Sequence, residues 1–261
     1  MDRRQVLAFL GTAGVGAAAL AACRGSGRDS ASSGSSASTT TSAAPATTTT
    51  GGTASASTTL TPAMFSAATS CALTPAETEG PYYIDVDKLR RDIREDRPGT
   101  RLRVGVRVLD ADGCTPLDNA VLDVWHCDAG GIYSGFEAAS TGQGGAGSGG
   151  GPTDSDRFLR GAQVTNRDGI AELVTIYPGW YRGRTVHIHA KVFTSNTEVL
   201  TTQLYFDERL NDTVLATAPY DAHTNRDTVN DSDTIFTPDT VMTVSKDGDG
   251  YLGLITVTVK T

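Results

Sequence analysis

The stretch Arg184-Thr185-Val186-His187-Ile188-His189-Ala190-Lys191-Val192-Phe193 decides how this chain folds. Val186, Ile188, Ala190 and Val192 recur at every second residue, which is the period of a half-buried strand. In a strand, residues i and i+2 share a face and stand about 6.5–7 Å apart along the chain. His187 and His189 therefore project together from the face opposite the aliphatic stripe, close enough to hold one metal ion. Tyr177-Pro-Gly-Trp-Tyr181 lies just upstream and adds phenols to the two imidazoles.

The same alternation recurs on both sides of this strand. Leu102, Val104, Val106 and Val108 alternate and end at an Asp112-Gly113 turn, and Ala120, Leu122 and Val124 alternate next. Asn166-Arg-Asp-Gly169 reads as a hairpin turn before a strand over 170–176. Further strands are expected over 199–206 and 251–259. Asp247-Gly-Asp-Gly250 reads as a hairpin turn, since its spacing is not that of a calcium loop. A short, irregular helix is expected over 85–95, and no window of a dozen residues holds a clean helical period. The predicted fold is all-β, a two-sheet β-sandwich with long loops and little helix. The glycines of 142–151 read as a mobile loop.

The N-terminal part has a different composition. Arg3 and Arg4 precede a short apolar run that ends in Leu20-Ala-Ala-Cys23. This order is that of an export signal, too short to span a bilayer as a stable helix. The paired arginines resemble a twin-arginine signal, and Leu-Ala-Ala-Cys resembles a lipobox in which Cys23 becomes lipidated. Residues 1–22 are thus expected to be a signal. Residues 23–70, rich in Ser, Thr, Ala and Gly, are expected to be a flexible tether, and 71–261 one catalytic domain. The expected location is the outer face of a bacterial membrane, with lipidated Cys23 as the sole membrane contact. The formal charge is −8, and removal of 1–22, with Arg3, Arg4 and Asp2, makes it one unit more negative. Such a balance argues against a nucleic-acid partner. An exported compartment permits a disulfide, and Cys71, Cys114 and Cys127 allow any of three pairings.

Phenolate and imidazole together suit a hard, highly charged cation. A tyrosine has a pKa near 10 and ionises at neutral pH only beside strong positive charge. Iron(III) supplies that charge.

Several blocks, taken in order, are similar to the intradiol ring-cleavage dioxygenases. They are Thr78-Glu-Gly-Pro-Tyr-Tyr83, Val124-Trp-His-Cys-Asp128, Gly131-Ile-Tyr-Ser-Gly135, Tyr177-Pro-Gly-Trp-Tyr-Arg182, Arg184-Thr-Val-His-Ile-His189 and Leu200-Thr-Thr-Gln-Leu-Tyr-Phe206. The chain looks closest to exported, single-domain members of that family. It lacks the helical dimerisation region of the cytoplasmic catechol enzymes, so the oligomeric state stays open.

The resemblance implies iron(III) as cofactor, with Tyr133, Tyr181, His187 and His189 as its ligands. Tyr177 is the nearest rival to Tyr181, but the family has other residues at its position. A catechol and O2 would be the substrates and a cis,cis-muconate-type product would result. Tyr181 would double as a base. Arg184 and Gln203 would stand beside the substrate, Arg184 as a fixed cation that stabilises developing negative charge. Which catechol is used is not legible.

The remaining aromatic and imidazole residues have plainer readings. His126 is expected to be structural and His223 solvated. Trp125 and Trp180 are expected to be core or pocket wall, and Tyr82 and Tyr83 to be either packing residues or the lining of a substrate entrance. Two other functions fit parts of the pattern. A zinc or copper enzyme can also use His-x-His. A cell-surface β-sandwich binding module needs none of these donors.

Overall fold

The six expected strands are among the nine of the computed structural model, which describes residues 58–65, 71–141 and 151–261. The strands are β1 (Arg101–Asp110), β2 (Thr115–Pro116), β3 (Val121–Trp125), β4 (Arg160–Val164), β5 (Ile170–Ile176), β6 (His187–Thr194), β7 (Thr197–Tyr205), β8 (Thr243–Asp247) and β9 (Gly250–Val259). Of these, β2, β4 and β8 were not expected. Among the described residues there are two α-helices, α1 (Glu137–Ser140) and α2 (Glu208–Leu215). One sheet runs β4-β3-β6-β7 and is antiparallel throughout. In the other, β2 and β5 pair along β1, which pairs in parallel with β9, and β9 pairs with β8. The two-sheet, mostly β architecture expected from the alternation is what forms.

The aliphatic stripes meet between the sheets. Leu102, Val104, Val106 and Val108 of β1 pack with Leu122 and Val124 of β3, and with Ile188, Ala190 and Val192 of β6. Each such side chain contributes roughly 1.5–3 kcal/mol on full burial, so this stripe secures β6 and the imidazoles ride on it. The expectation of a half-buried strand needs correction, because β6 is buried from His187 through Phe193. Its second face is covered by the segment ahead of β1. There the Glu77 amide donates to Thr201 O at 2.8 Å. Thr202 Oγ1 donates to Pro75 O at 2.9 Å, and Gln203 Nε2 to Thr78 O at 3.0 Å.

The expected helix over 85–95 does not form. Asp87 and Glu95 have positive φ, 50° and 52°. The backbone between them bonds outward instead, with Arg90 N donating to Ala162 O and Ile93 N to Val174 O. Tertiary partners at two strands win over the weak local propensity. The Asn166–Gly169 turn forms, with Asn166 Oδ1 accepting from Asp168 N and Ile170 N. It is not a hairpin, however. It carries the chain from β4 in one sheet to β5 in the other. Helix α2 was not expected; Asp207 caps it by accepting from Arg209 N at 2.9 Å.

Cys71 is bonded to Cys114, and Cys127 is a free, buried thiol. The packed residues begin before position 71. Leu60 and Phe65, drawn above into the tether, are buried against Ile170, Leu252 and Leu254. Composition averages over a stretch and does not register two anchoring apolar residues at its end. The expected signal of 1–22, the tether up to 57 and the glycine-rich 142–150 lie outside the described residues. Among the described residues, no helix is long and apolar enough to cross a membrane.

Candidate metal centre

Four side chains from three sequence elements gather at the β6 face. His187 and His189 rise from it directly, as neighbours i and i+2 on one strand. Their Nε2 atoms lie 3.1 Å apart. Tyr181 places its hydroxyl 3.3 Å from His187 Nε2. The Tyr133 ring stands 5.6 Å from that of Tyr181 and 6.2 Å from that of His189, centroid to centroid. The two tyrosines arrive on loops that interlock through glycines. A Cβ on Gly131 would lie 2.3 Å from Trp180 O, and one on Gly179 would lie 2.5 Å from Ala129 O. Gly179 N also donates to Asp128 O at 3.0 Å. Only side-chain-free positions let the backbones meet this closely.

The donors are left ready for a cation. His187 Nδ1 can only donate to the Thr185 carbonyl, 2.7 Å away, which leaves its Nε2 as a lone pair. The buried Tyr133 hydroxyl and His189 Nδ1 find no hydrogen-bond partner among the described residues. Burial pushes His187 down to about 3, with Arg184 adding to the fall, and takes His189 well below the usual histidine range. Both imidazoles are thus neutral at neutral pH. Burial also raises Tyr181 to about 12, against the pull of Arg184, and lifts Tyr133 well above the usual phenol range. In the metal-free protein these phenols hold their protons. An orphaned buried hydroxyl among two phenols and two imidazoles fits a hard trivalent cation, whose charge is what ionises a buried phenol.

Arg184 and Gln203 sit beside this cluster as a linked pair. Arg184 Nε donates to Asp233 Oδ2 at 2.9 Å, and its Nη2 donates to Gln203 Oε1. Asp233 Oδ2 also accepts from Thr185 N at 2.8 Å. One carboxylate thus fixes both the guanidinium and the backbone amide of Thr185, the residue whose carbonyl orients His187. Arg160, fully buried, binds Ser134 through Nε and Nη2 and the Tyr82 carbonyl through Nη1, at 2.7–2.8 Å. That ties the covering segment to the Tyr133 loop.

The other expectations divide. Tyr177 faces away, donating to Asn211 Oδ1 at 2.7 Å and packing on Phe206. His126 has both nitrogens occupied, by Cys127 O and Thr175 Oγ1, each at 2.7 Å, as a structural histidine should. His223, expected to be solvated, is half-buried and stacked on Trp180 at 4.1 Å; an exposed-looking loop sequence gave no sign of that ring. Tyr82 is buried against Tyr133 and Phe136, while Tyr83 packs on Trp125. Asp233, Arg160 and Glu77 were missed. Their partners lie 48, 26 and 128 residues away, and no local spacing announces them.

Residues 78–245 match a family model described as "Dioxygenase". The chain is 32% identical over 159 residues to a protein named chlorocatechol 1,2-dioxygenase from Rhodococcus opacus, covering 51% of this chain and 56% of that protein. It superposes on an intradiol ring-cleavage dioxygenase from Tetranychus urticae with a TM-score of 0.68 at 33% identity, covering 73% of this chain and 95% of that one. It also superposes on the dioxygenase domain of a dioxygenase carbohydrate-binding protein fusion from Streptomyces sp. SirexAA-E. There the TM-score is 0.54 at 31% identity, over 73% and 99% of the two chains. The chain spans about half the length of the curated relatives it matches.

Proposed function

The chain belongs to the intradiol ring-cleavage dioxygenases, and on that premise we propose that it opens catechol-type rings between the two hydroxyl-bearing carbons, consuming O2 and releasing cis,cis-muconate-type acids. The observation that carries this reading is the convergence of Tyr133, Tyr181, His187 and His189, with neighbouring donor atoms 3.1 and 3.3 Å apart. These four residues would hold iron(III). Once bound, the iron would supply a Lewis acid that favours ionised catechol and makes its ring reactive toward O2.

The protein's own groups do the rest. A phenol that prefers its proton up to about pH 12 without metal is a strong base when released from it. Tyr181 would accordingly accept a catechol proton. Tyr133, more deeply buried, would stay as the anchoring phenolate. Arg184, held from behind by Asp233 and from the side by Gln203, would present a fixed positive charge to the reacting oxygens. Tyr82, Phe136 and Trp125 would exclude water from the ring's surroundings.

The purified protein should contain iron and be burgundy from phenolate-to-iron(III) charge transfer. A panel of catechols assayed for O2 uptake should give intradiol products. Extradiol products, or no turnover of any catechol by the iron-loaded protein, would overturn the reading. A colourless zinc protein would return it to the alternatives. The same proposal puts the enzyme outside the cytoplasm, anchored through a lipidated Cys23. The Cys71–Cys114 disulfide supports an oxidising compartment, and the mass of the N-terminal peptide of the mature protein tests the anchor.

A further inference from the structure

Glu77 lies in the segment that covers the β6 face, one residue ahead of the Thr78-Glu-Gly-Pro-Tyr-Tyr83 block. Its Oε2 accepts from the Tyr205 hydroxyl at 2.7 Å. Its Oε1 is buried and finds no partner among the described residues. The same Tyr205 hydroxyl lies 3.2 Å from Gln203 Oε1. The orientation of the Gln203 amide is fixed, because its nitrogen must face the Thr78 carbonyl at 3.0 Å. Its oxygen therefore faces Arg184 and Tyr205 together. Gln203 and Tyr205 are both fully buried, so water does not relieve a shortage of donors or acceptors.

The atoms can be counted. Tyr205 has one hydroxyl hydrogen and two acceptors within reach. We propose that Glu77 is a positioning residue: by drawing that hydrogen to itself it leaves the Gln203 oxygen to Arg184, and so holds the guanidinium where it meets the substrate. This rests on the dioxygenase reading of the site. When Glu77 is protonated, its own hydrogen points to the Tyr205 oxygen and the Tyr205 hydrogen turns to Gln203, where it competes with Arg184. The charged and titratable groups facing Glu77 are Tyr205 on β7, Arg184 ahead of β6 and Asp233 on the loop beyond α2. Burial raises the Glu77 carboxyl to about 7, Asp233 adds to the rise, and Tyr205 and Arg184 oppose it. The two arrangements thus exchange near neutral pH.

The test uses the full, iron-loaded chain and the variants Glu77→Gln, Tyr205→Phe and both together. Glu77→Gln should lose about tenfold in kcat with little change in KM, a part of the roughly 10²–10³ lost when such an electrostatic donor is itself removed, whereas Tyr205→Phe has no hydroxyl hydrogen to turn on Gln203 and should stay near wild type at neutral pH. The double variant should match Tyr205→Phe, because without the Tyr205 hydrogen residue 77 no longer bears on Gln203. Wild-type kcat should fall as pH drops through about 7, and both single variants should lose that limb. Iron content, the charge-transfer band and the anaerobic affinity for catechol should stay near wild type. A double variant as slow as Glu77→Gln, a limb that persists in Glu77→Gln, or a wild-type profile flat through neutrality overturns the inference alone. A wild type that opens no catechol overturns the functional reading, and this inference with it.

Discussion

The indole of Trp125 lies flat on the imidazole of His189, with centroids 4.7 Å apart and planes 4° from parallel. The two residues are a registered pair across β3 and β6. Tyr83 packs on Trp125, and Lys191 Nζ stands 4.3 Å from the Tyr83 ring. Cation, phenol, indole and imidazole therefore form one continuous row of contacts ending at the candidate metal centre. The two histidines are held differently. His187 is oriented by a hydrogen bond to Thr185 O, whereas His189 Nδ1 has no partner among the described residues and takes its bearing from the stack.

Trp125→Leu should therefore act through His189. Replacing the indole costs roughly 3 kcal/mol of stability and leaves the imidazole free to turn. Iron affinity should fall by about 10–100-fold, the range seen when the groups that orient a metal ligand are lost. Competition with a chelator measures it. Unchanged iron release in a folded Trp125→Leu protein would show that the stack does not orient His189.

Tyr133→Phe should have opposite effects on folding and on the metal centre. The hydroxyl is buried without a partner among the described residues, and an unsatisfied buried hydroxyl costs about 1–3 kcal/mol. The metal-free variant should consequently unfold at a higher temperature than metal-free wild type. The iron-loaded variant should lose part of its phenolate charge-transfer absorption and most of its turnover. Calorimetry of both metal-free proteins decides the first half. A lower melting temperature for Tyr133→Phe would mean that the neighbouring Tyr181 hydroxyl satisfies it.

What the sequence made legible follows from distance along the chain. His187 and His189 share one strand, and Tyr181 is six residues upstream, so period and motif suffice to group them. Tyr133 needed the family resemblance, because no spacing rule ties its loop to β6. Strands were legible because alternation is local. Their partners were less so: Asn166–Gly169 has a hairpin's sequence yet joins two different sheets. Least legible were the groups that act through tertiary hydrogen bonds. Asp233 reaches Thr185 across 48 residues, and Tyr205 reaches Glu77 across 128. An isolated Asp or Glu in a polar loop looks the same whether it is solvated or buried against an arginine.

The interlocked tyrosine loops predict a graded series of glycine variants. Gly131→Ala places a methyl 2.3 Å from Trp180 O and forces a side chain into φ +83°. Gly179→Ala meets Ala129 O at 2.5 Å. Gly183 has φ +78° but nothing within 4 Å of its added Cβ. Gly183→Ala should cost only the left-handed backbone penalty, about 1–2 kcal/mol. The other two must push the loops apart, so they should cost more and also weaken iron binding. Thermal melts with iron titrations rank the three. Equal loss of iron affinity in all three would refute the interlocking.

Acid stability should report on the pair of arginines under β8. Asp247 Oδ2 accepts from Arg101 Nη1 at 2.8 Å and its Oδ1 from the fully buried Arg103 at 3.2 Å. Burial raises the Asp247 carboxyl, but these two arginines outweigh it and hold it below the usual range. A carboxyl lowered on folding stabilises above its unfolded pKa of about 3.9. That contribution is lost as pH falls through the lower, folded value. Asp247→Asn should therefore be less stable than wild type at pH 7, because Arg103 loses one of its two carboxylate partners and keeps only Glu172. The gap should narrow as pH drops below about 4, where the wild-type side chain takes up a proton and becomes neutral like its replacement. Denaturant melts of both proteins across that range measure the gap, and one that stays constant with pH would show that Asp247 carries no folding-linked proton.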